Sequence, residues 1–276
     1  MTLPPGARDA RPVGGGDINE AFRVVLHDGS DAFVKTRATP SPGEYAAEAD
    51  GLRWLAEPGA LRTPRVLDVG EGYLALQWID AGRLDAAGER ELGRGLAATH
   101  LSGAPRFGRF GEIGVGWLGP LELSNEPTDD WPQFYAERRL APLAALAGER
   151  DALSARGVQA VRRVCERMGE LTGPAEPPAR VHGDLWQGNV LADARGRPWL
   201  IDPSAYGGHR EVDLAMLALF GSPSRAFFDS YGEVAPLADA WQERVGLYQL
   251  LPLLVHALLF GGSYRDAAER MALRYA

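Results

Sequence analysis

"VHGDLWQGNVL", residues 181–191, sets Asp184 and Asn189 five positions apart between apolar anchors, with His182 and Trp186 beside them. The segment immediately downstream decides its reading. "NVLAD" (189–193) and "PWLID" (198–202) flank "ARGR" (194–197), two short apolar runs around a polar turn, which predicts a hairpin. A hairpin brings its ends together, so Asn189 and Asp202 should face one spot. A carboxylate plus an amide oxygen is hard-oxygen ligation, suited to a magnesium ion that keeps some water and binds substrate phosphates. Asp184 then stands beside that ion, able to accept a hydroxyl proton, the base's part in phosphoryl transfer. The H-x-D-x-x-x-x-N interval is that of a kinase catalytic loop.

A loop that handles ATP needs a cation and backbone donors from elsewhere, and the earlier chain offers both. "GGGDIN" (14–19) lies between strands, where Gly15 and Gly16, followed by Asp17, Ile18 and Asn19, let backbone N–H groups approach phosphate oxygens. Lys35, in "FVKT", shares a strand face with Phe33, which would line a base pocket. Glu48, on the one helix of this region, is the anion that could hold the lysine toward α/β phosphates. Each feature has a plain reading: a glycine turn, a solvated strand-end lysine, a solvated helix charge. Their order along the chain, on the expected element types and ahead of the catalytic-loop interval, favours the chemical one.

From Val13 to about Ile79 the pattern is β-rich. "EAFRVVLHDGSDAFVKT" alternates Phe22, Val24 and Leu26, turns at Asp28-Gly29 and resumes as a second strand. "GEYAAEADGLRWLAE" carries Glu48, Leu52 and Leu55 at helical spacing before Pro58-Gly59, and "RVLDVGEGYLALQWI" gives two more strands. Beyond Asp80 helices are expected over 84–102, 131–147, 154–172, 211–220, 224–231, 236–260 and 264–275, interrupted by the 189–202 hairpin. The fold class is α+β: a β-rich lobe with one helix over 1–80, which would bind nucleotide, and a larger helical lobe over 81–276, which would hold the catalytic and acceptor sites.

Bulk properties bound the partners. The 276 residues carry a formal net charge of −8, and nucleic-acid binding needs a basic face, so no nucleic-acid partner is expected. The single cysteine, Cys165, excludes an internal disulfide framework and a cysteine metal site, and its helical spacing reads as core. No apolar stretch opens the sequence. The greasiest segment, 247–262, falls short of the roughly 20 apolar residues of a membrane span and is broken by Gln249, Pro252 and His256. A buried helix, no membrane and a cytoplasmic location are the expectation.

The chain resembles the fructosamine kinase (ketosamine-3-kinase) family, within the aminoglycoside-phosphotransferase, protein-kinase-like fold. The resemblance rests on "GGGDINEAFRV", "FVKT", "EADGLRWL", "GYLALQWI", "DDWPQFYAERRL", "HGDLWQGN", "IDPSAYGGHREVDLAM" and "LLVHALLFGGSY", which span about residues 14–275. It implies a two-lobed fold and an ATP- and Mg2+-dependent transfer to the 3-hydroxyl of a ketoamine (fructosamine or ribulosamine) adduct. The unstable product would then release the amine, a deglycation. It also implies Asp184 as base, Asn189 and Asp202 as metal ligands, Lys35 with Glu48 as the phosphate-positioning pair, and Gln77, Trp78 and Ile79 as the adenine hinge. Asp202-Pro203 stands where protein kinases have Asp-Phe-Gly, which removes their switching phenylalanine. Trp186, Tyr206, Glu211 and His256 are candidates for the acceptor site, Glu211 as the acid meeting the substrate's secondary ammonium. His182 and Asp213 read as braces of the catalytic loop. Other small-molecule kinases of the aminoglycoside or choline type, and a nucleotide-binding pseudokinase scaffold, are the competing readings.

Overall fold

The computed structural model describes residues 2–14 and 19–276. Strands β1 (Arg8–Pro12), β2 (Glu20–Val25) and β3 (Asp31–Thr36) lead into helix α1 (Glu44–Ala56), followed by β4 (Val66–Gly70) and β5 (Tyr73–Gln77). They form one antiparallel sheet in the order β1-β2-β3-β5-β4. Asp28 closes the β2–β3 turn by accepting the Ser30 backbone N–H at 2.9 Å. Alternation sorts the faces: Val24, Ala32, Val34 and Ala75 pack on one side, while Leu74 and Leu76 pack with Tyr45, Ala49 and Leu52 of α1 on the other. Parity puts Lys35 with Phe33 on the α1 side, so the lysine meets the helix that carries Glu48.

The larger half begins with α2 (Ala86–Leu101), capped by the Asp85 side chain on the Ala87 and Gly88 N–H groups at 2.9 and 2.8 Å. A hairpin of β6 (Val115–Leu118) and β7 (Leu121–Ser124) precedes α3 (Trp131–Tyr135), a π turn (Ala136–Leu140), α4 (Ala141–Glu149), α5 (Ala155–Glu166) and α6 (Met168–Leu171). Next come β8 (Ala179–Val181), the hairpin of β9 (Val190–Ala192) and β10 (Pro198–Leu200), and β11 (Tyr206–Gly208), which pairs with β8. The chain closes with α7 (Glu211–Leu217), α8 (Arg225–Val234), α9 (Trp241–Phe260) and α10 (Ser263–Tyr275). Helix α9 is long and apolar enough to cross a membrane, yet Leu247, Leu250, Leu251 and Leu254 lie in the main core with Phe134, Leu140 and Val161. Each such leucine contributes about 2 kcal/mol by burial. Pro252 lacks the N–H that would bond the Tyr248 carbonyl one turn back, and the Tyr135 hydroxyl donates to that carbonyl instead, at 3.2 Å.

Several features depart from the sequence reading. Strand β1 lies ahead of Val13. The β6–β7 hairpin occupies a stretch with no predicted strand, because four-residue strands joined through Gly119 and Pro120 leave little periodicity to see. The helix expected over 131–147 is split by the π turn. The chain after α2 also returns to the first half: the Phe110 ring stacks on Trp54 of α1 with centroids 4.0 Å apart and planes 4° from parallel. Asp130 caps α3 by accepting the Gln133 N–H at 2.8 Å, and Trp131 and Phe134 behind it are core aromatics.

Candidate active site

The loop after β8 is held from below. Asp213, at the start of α7 and fully buried, accepts the backbone N–H groups of His182 (2.7 Å) and Gly183 (2.9 Å) and faces His100 Nε2 at 3.2 Å. His182 Nε2 lies 2.9 Å from the Ile201 carbonyl, tying the loop to the end of the β9–β10 hairpin. Gly183 has φ 82°, and a Cβ there would stand 2.1 Å from the Ser204 carbonyl, so only glycine fits. Both residues read as braces do brace. Asn189 donates its Nδ2 protons to the Asp184 carbonyl (2.8 Å) and carboxylate (3.3 Å), and its own carbonyl accepts the Ile201 N–H at 3.1 Å. The hairpin therefore brings Asn189 beside the strand end that leads to Asp202. Asp202 itself has φ 54°, a left-handed conformation that costs a non-glycine residue energy and concentrates at functional sites.

Lys35 bridges the two halves. Its Nζ pairs with Glu48 Oε2 and lies 3.2 Å from Asp202 Oδ1. Burial opposes the lysine's charge, but Asp202 and then Glu48 outweigh it and raise its pKa. Burial pushes the Glu48 carboxyl up to about 7 against the pull of Lys35, and its Oε1 has no partner among the described residues. Asp184 is pushed up to about 7 as well, by burial first and then by the neighbouring Asp202 charge, with the Asn189 hydrogen bond pulling it down.

These groups line one cleft of about 1120 Å³. Gln77, Trp78 and Ile79 form one wall with Phe33, and Gly14 and Asn19 approach from the strand side. Asn19 accepts a hydrogen bond from the Tyr45 hydroxyl at 3.2 Å; Gly15, Gly16, Asp17 and Ile18 lie outside the described residues. Trp186 and His256 face the same cleft with Phe220, Phe260 and Tyr264, an aromatic wall in which His256 stands 5.0 Å from Phe220 and 4.9 Å from Tyr264 between centroids.

Two acceptor-site expectations are corrected. Glu211 does not reach the cleft: it is buried and gripped in a fork by Arg244 at 2.9 and 2.6 Å, an internal ion pair that leaves no oxygen for a substrate ammonium. Tyr206 lies beneath the loop, packed under Arg139, whose guanidinium carbon is 4.2 Å from its ring centre, and does not line the cleft. Sequence reasoning also missed Asn125 and Ser204 on the cleft wall. Nothing in "LSNEPT" separates such an asparagine from an ordinary turn residue.

The donor set suits a hard divalent ion. Because both oxygens of Asp184 nearest Asn189 are acceptors, the Asn189 amide must turn its nitrogen toward them, leaving Oδ1 as its free ligand atom. With the Asp202 carboxylate this gives two oxygen donors and no thiolate or imidazole, the chemistry of magnesium shared with phosphate and water.

The sequence model of the fructosamine kinase family matches residues 4–275. A Thermus thermophilus protein named as a probable ketoamine kinase is 39% identical over 95% of this chain and 92% of its own length. The chloroplastic protein-ribulosamine 3-kinase of Arabidopsis thaliana is 34% identical over 93% of this chain and 79% of its own. A solved Thermobifida fusca structure, assigned as a fructosamine-3-kinase, superposes with a TM-score of 0.88 at 42% identity, covering 97% of this chain and 94% of that one. The fold is protein-kinase-like, shared with far more distant small-molecule phosphotransferases.

Proposed function

The chain belongs to the fructosamine kinase family, and from that premise we propose that it transfers the γ-phosphoryl group of ATP to the 3-hydroxyl of a ketoamine, a fructosamine or ribulosamine adduct. The observation that carries the reading is the convergence of Asp184, Asn189, Asp202, Lys35 and Glu48 on one cleft. The segment from Gln77 to Ile79 would hold adenine, with Phe33 against the base, and the half before Asp80 would be the nucleotide lobe. Lys35, kept in place by Glu48, holds phosphate oxygens. Asp184 accepts the proton as the acceptor oxygen bonds to phosphorus and the bond from phosphorus to the bridging oxygen of ADP breaks. Transfer of this kind asks more of the base's orientation than of its strength, and the Asn189 hydrogen bonds supply that orientation. Asn189 and Asp202 would hold Mg2+, which neutralises charge on the phosphates when bound. Trp186 and His256, on the aromatic wall, would contact the acceptor. The phosphorylated ketoamine would then shed its amine, making the reaction the first half of a deglycation, carried out in the cytoplasm.

The test is ADP release with fructosyl-lysine and ribulosyl-lysine against kanamycin and choline, with magnesium and with excess chelator. Ketoamine-dependent, chelator-sensitive release is expected. Release with kanamycin or choline and none with any ketoamine would reassign the chain to another small-molecule kinase, and no release with any acceptor would favour a scaffold.

A further inference from the structure

We infer that the side-chain amide of Asn125 donates a hydrogen bond to an oxygen of the bound ketoamine's sugar, and that Arg139 is the residue that aims it; this rests on the phosphotransferase reading above. Asn125 is 3% exposed yet lines the cleft. Its other polar atoms are all committed: the backbone N–H donates to the Gly114 carbonyl (2.8 Å), the backbone carbonyl accepts the Arg109 N–H (2.8 Å), and Oδ1 accepts from Arg139 Nη2 at 2.6 Å. A guanidinium only donates, so the amide orientation is fixed with Nδ2 away from it. No acceptor among the described residues takes the Nδ2 protons. Nδ2 lies over Gly116, 3.1 Å from where a Cβ of that residue would be, with Ser204 Oγ 3.4 Å from the same point. Ser204, also on the cleft, is two residues past Asp202, and its carbonyl packs on Gly183 of the catalytic loop. The side-chain groups nearest Gly116 come from Asn125 and Ser204, not from the sheet or from Gln77–Ile79.

Arg139 explains why such an arrangement persists. It is 2% exposed and has no carboxylate partner among the described residues. Instead it lies over the rings of Phe134 and Tyr206, 4.6 and 4.2 Å from their centres, and donates to the Ser124 and Arg138 carbonyls as well as to Asn125. A buried charge without a counter-ion is costly, and it stands in a π turn, a helix irregularity that concentrates at functional sites. Its outlet toward the cleft is the Asn125 amide. The paired groups beside Gly116, an amide donor and a hydroxyl, are neutral. That matches a sugar hydroxyl or carbonyl; a phosphoryl group calls for cations.

Asn125→Asp separates the roles, since the carboxylate keeps an acceptor for Arg139 while deleting the N–H donors. The expected result is a KM for fructosyl-lysine raised about tenfold, the worth of one good hydrogen bond, with the KM for ATP within twofold and the unfolding midpoint not lowered. Among acceptors each lacking one sugar oxygen, one should lose the same factor with the parent enzyme and nothing with Asn125→Asp. Arg139→Lys should raise the ketoamine KM in the parent and add nothing in the Asn125→Asp background. A rise in the KM for ATP instead, or losses that multiply for every acceptor and for the double variant, would overturn the assignment. Parent enzyme that phosphorylates no ketoamine would overturn the proposed function first and this assignment with it, before any variant is made.

Discussion

Lys35 and Arg139 are both sealed cations, held on opposite terms. Lys35 has two carboxylates, one on α1 and one beyond the β9–β10 hairpin, and stands on the cleft. Arg139 has rings and carbonyl oxygens for company and stands behind the cleft wall. A lysine shared between two acids can exchange part of that attraction for a phosphate, while a guanidinium that donates to two backbone carbonyls and an amide oxygen serves to fix geometry. One cation is arranged for a ligand, the other for the chain.

The contrast can be tested in descending order of effect. Asp184→Asn should cut turnover about 10³-fold at unchanged melting temperature, because the proposed base is lost while the loop keeps its Asp213 and His182 supports; parental turnover would show that the loop does something else. Arg139→Met should cost about 3 kcal/mol in urea unfolding, since the Ser124 carbonyl and the Asn125 amide lose their donor in the interior. Lys35→Met should reverse that profile. Here kcat/KM for ATP falls about 100-fold, as for loss of one transition-state cation, and stability changes little, because Glu48, already held near 7, takes up a proton when its partner goes. Equal losses of stability in the two variants would erase the distinction between the two cations.

The smallest effect concerns pH. Burial holds the His209 imidazole down to about 4 against an ordinary value of 6.5. On acidification the unfolded chain takes the proton first, so stability is full above pH 6.5 and is lost as pH falls toward the folded value. Between pH 7 and 5 the loss should be about 2 kcal/mol. A His209→Asn variant should show a flatter stability profile over that interval by denaturant titration.

The Asp184 side of the site was legible because its spacing is local. Asp184, Asn189 and Asp202 are gathered by one loop and one hairpin, and Lys35 meets Glu48 through the alternation of a single strand. The Arg139–Asn125 contact was not. It joins the residue just past a hairpin too short to show a period to one 14 positions on, and a π turn shifts Arg139 out of the 3.6-residue register by which a helix face is read. Glu211 misled for a related reason: an acid in a first helical turn beside the loop looks like a ligand group until Arg244, 33 residues later on α9, is seen to fill both of its oxygens. Apart from the β9–β10 hairpin, the strands after Asp80 were hidden likewise, in three- and four-residue runs with no alternation to detect.

Trp54 carries a consequence for motion. Its ring lies between Phe110 on one side and the guanidinium of Arg180 on the other, 4.5 Å from the ring centre, and Arg180 also donates to the Trp54 carbonyl and, at 2.8 Å, to Glu57. Both clamping residues come from the helical half, so α1 cannot swing outward without unstacking both faces of the Trp54 ring and breaking the Arg180 hydrogen bond to its carbonyl. The pairing of Glu48 with Lys35 is thereby settled when the chain folds, not assembled on demand.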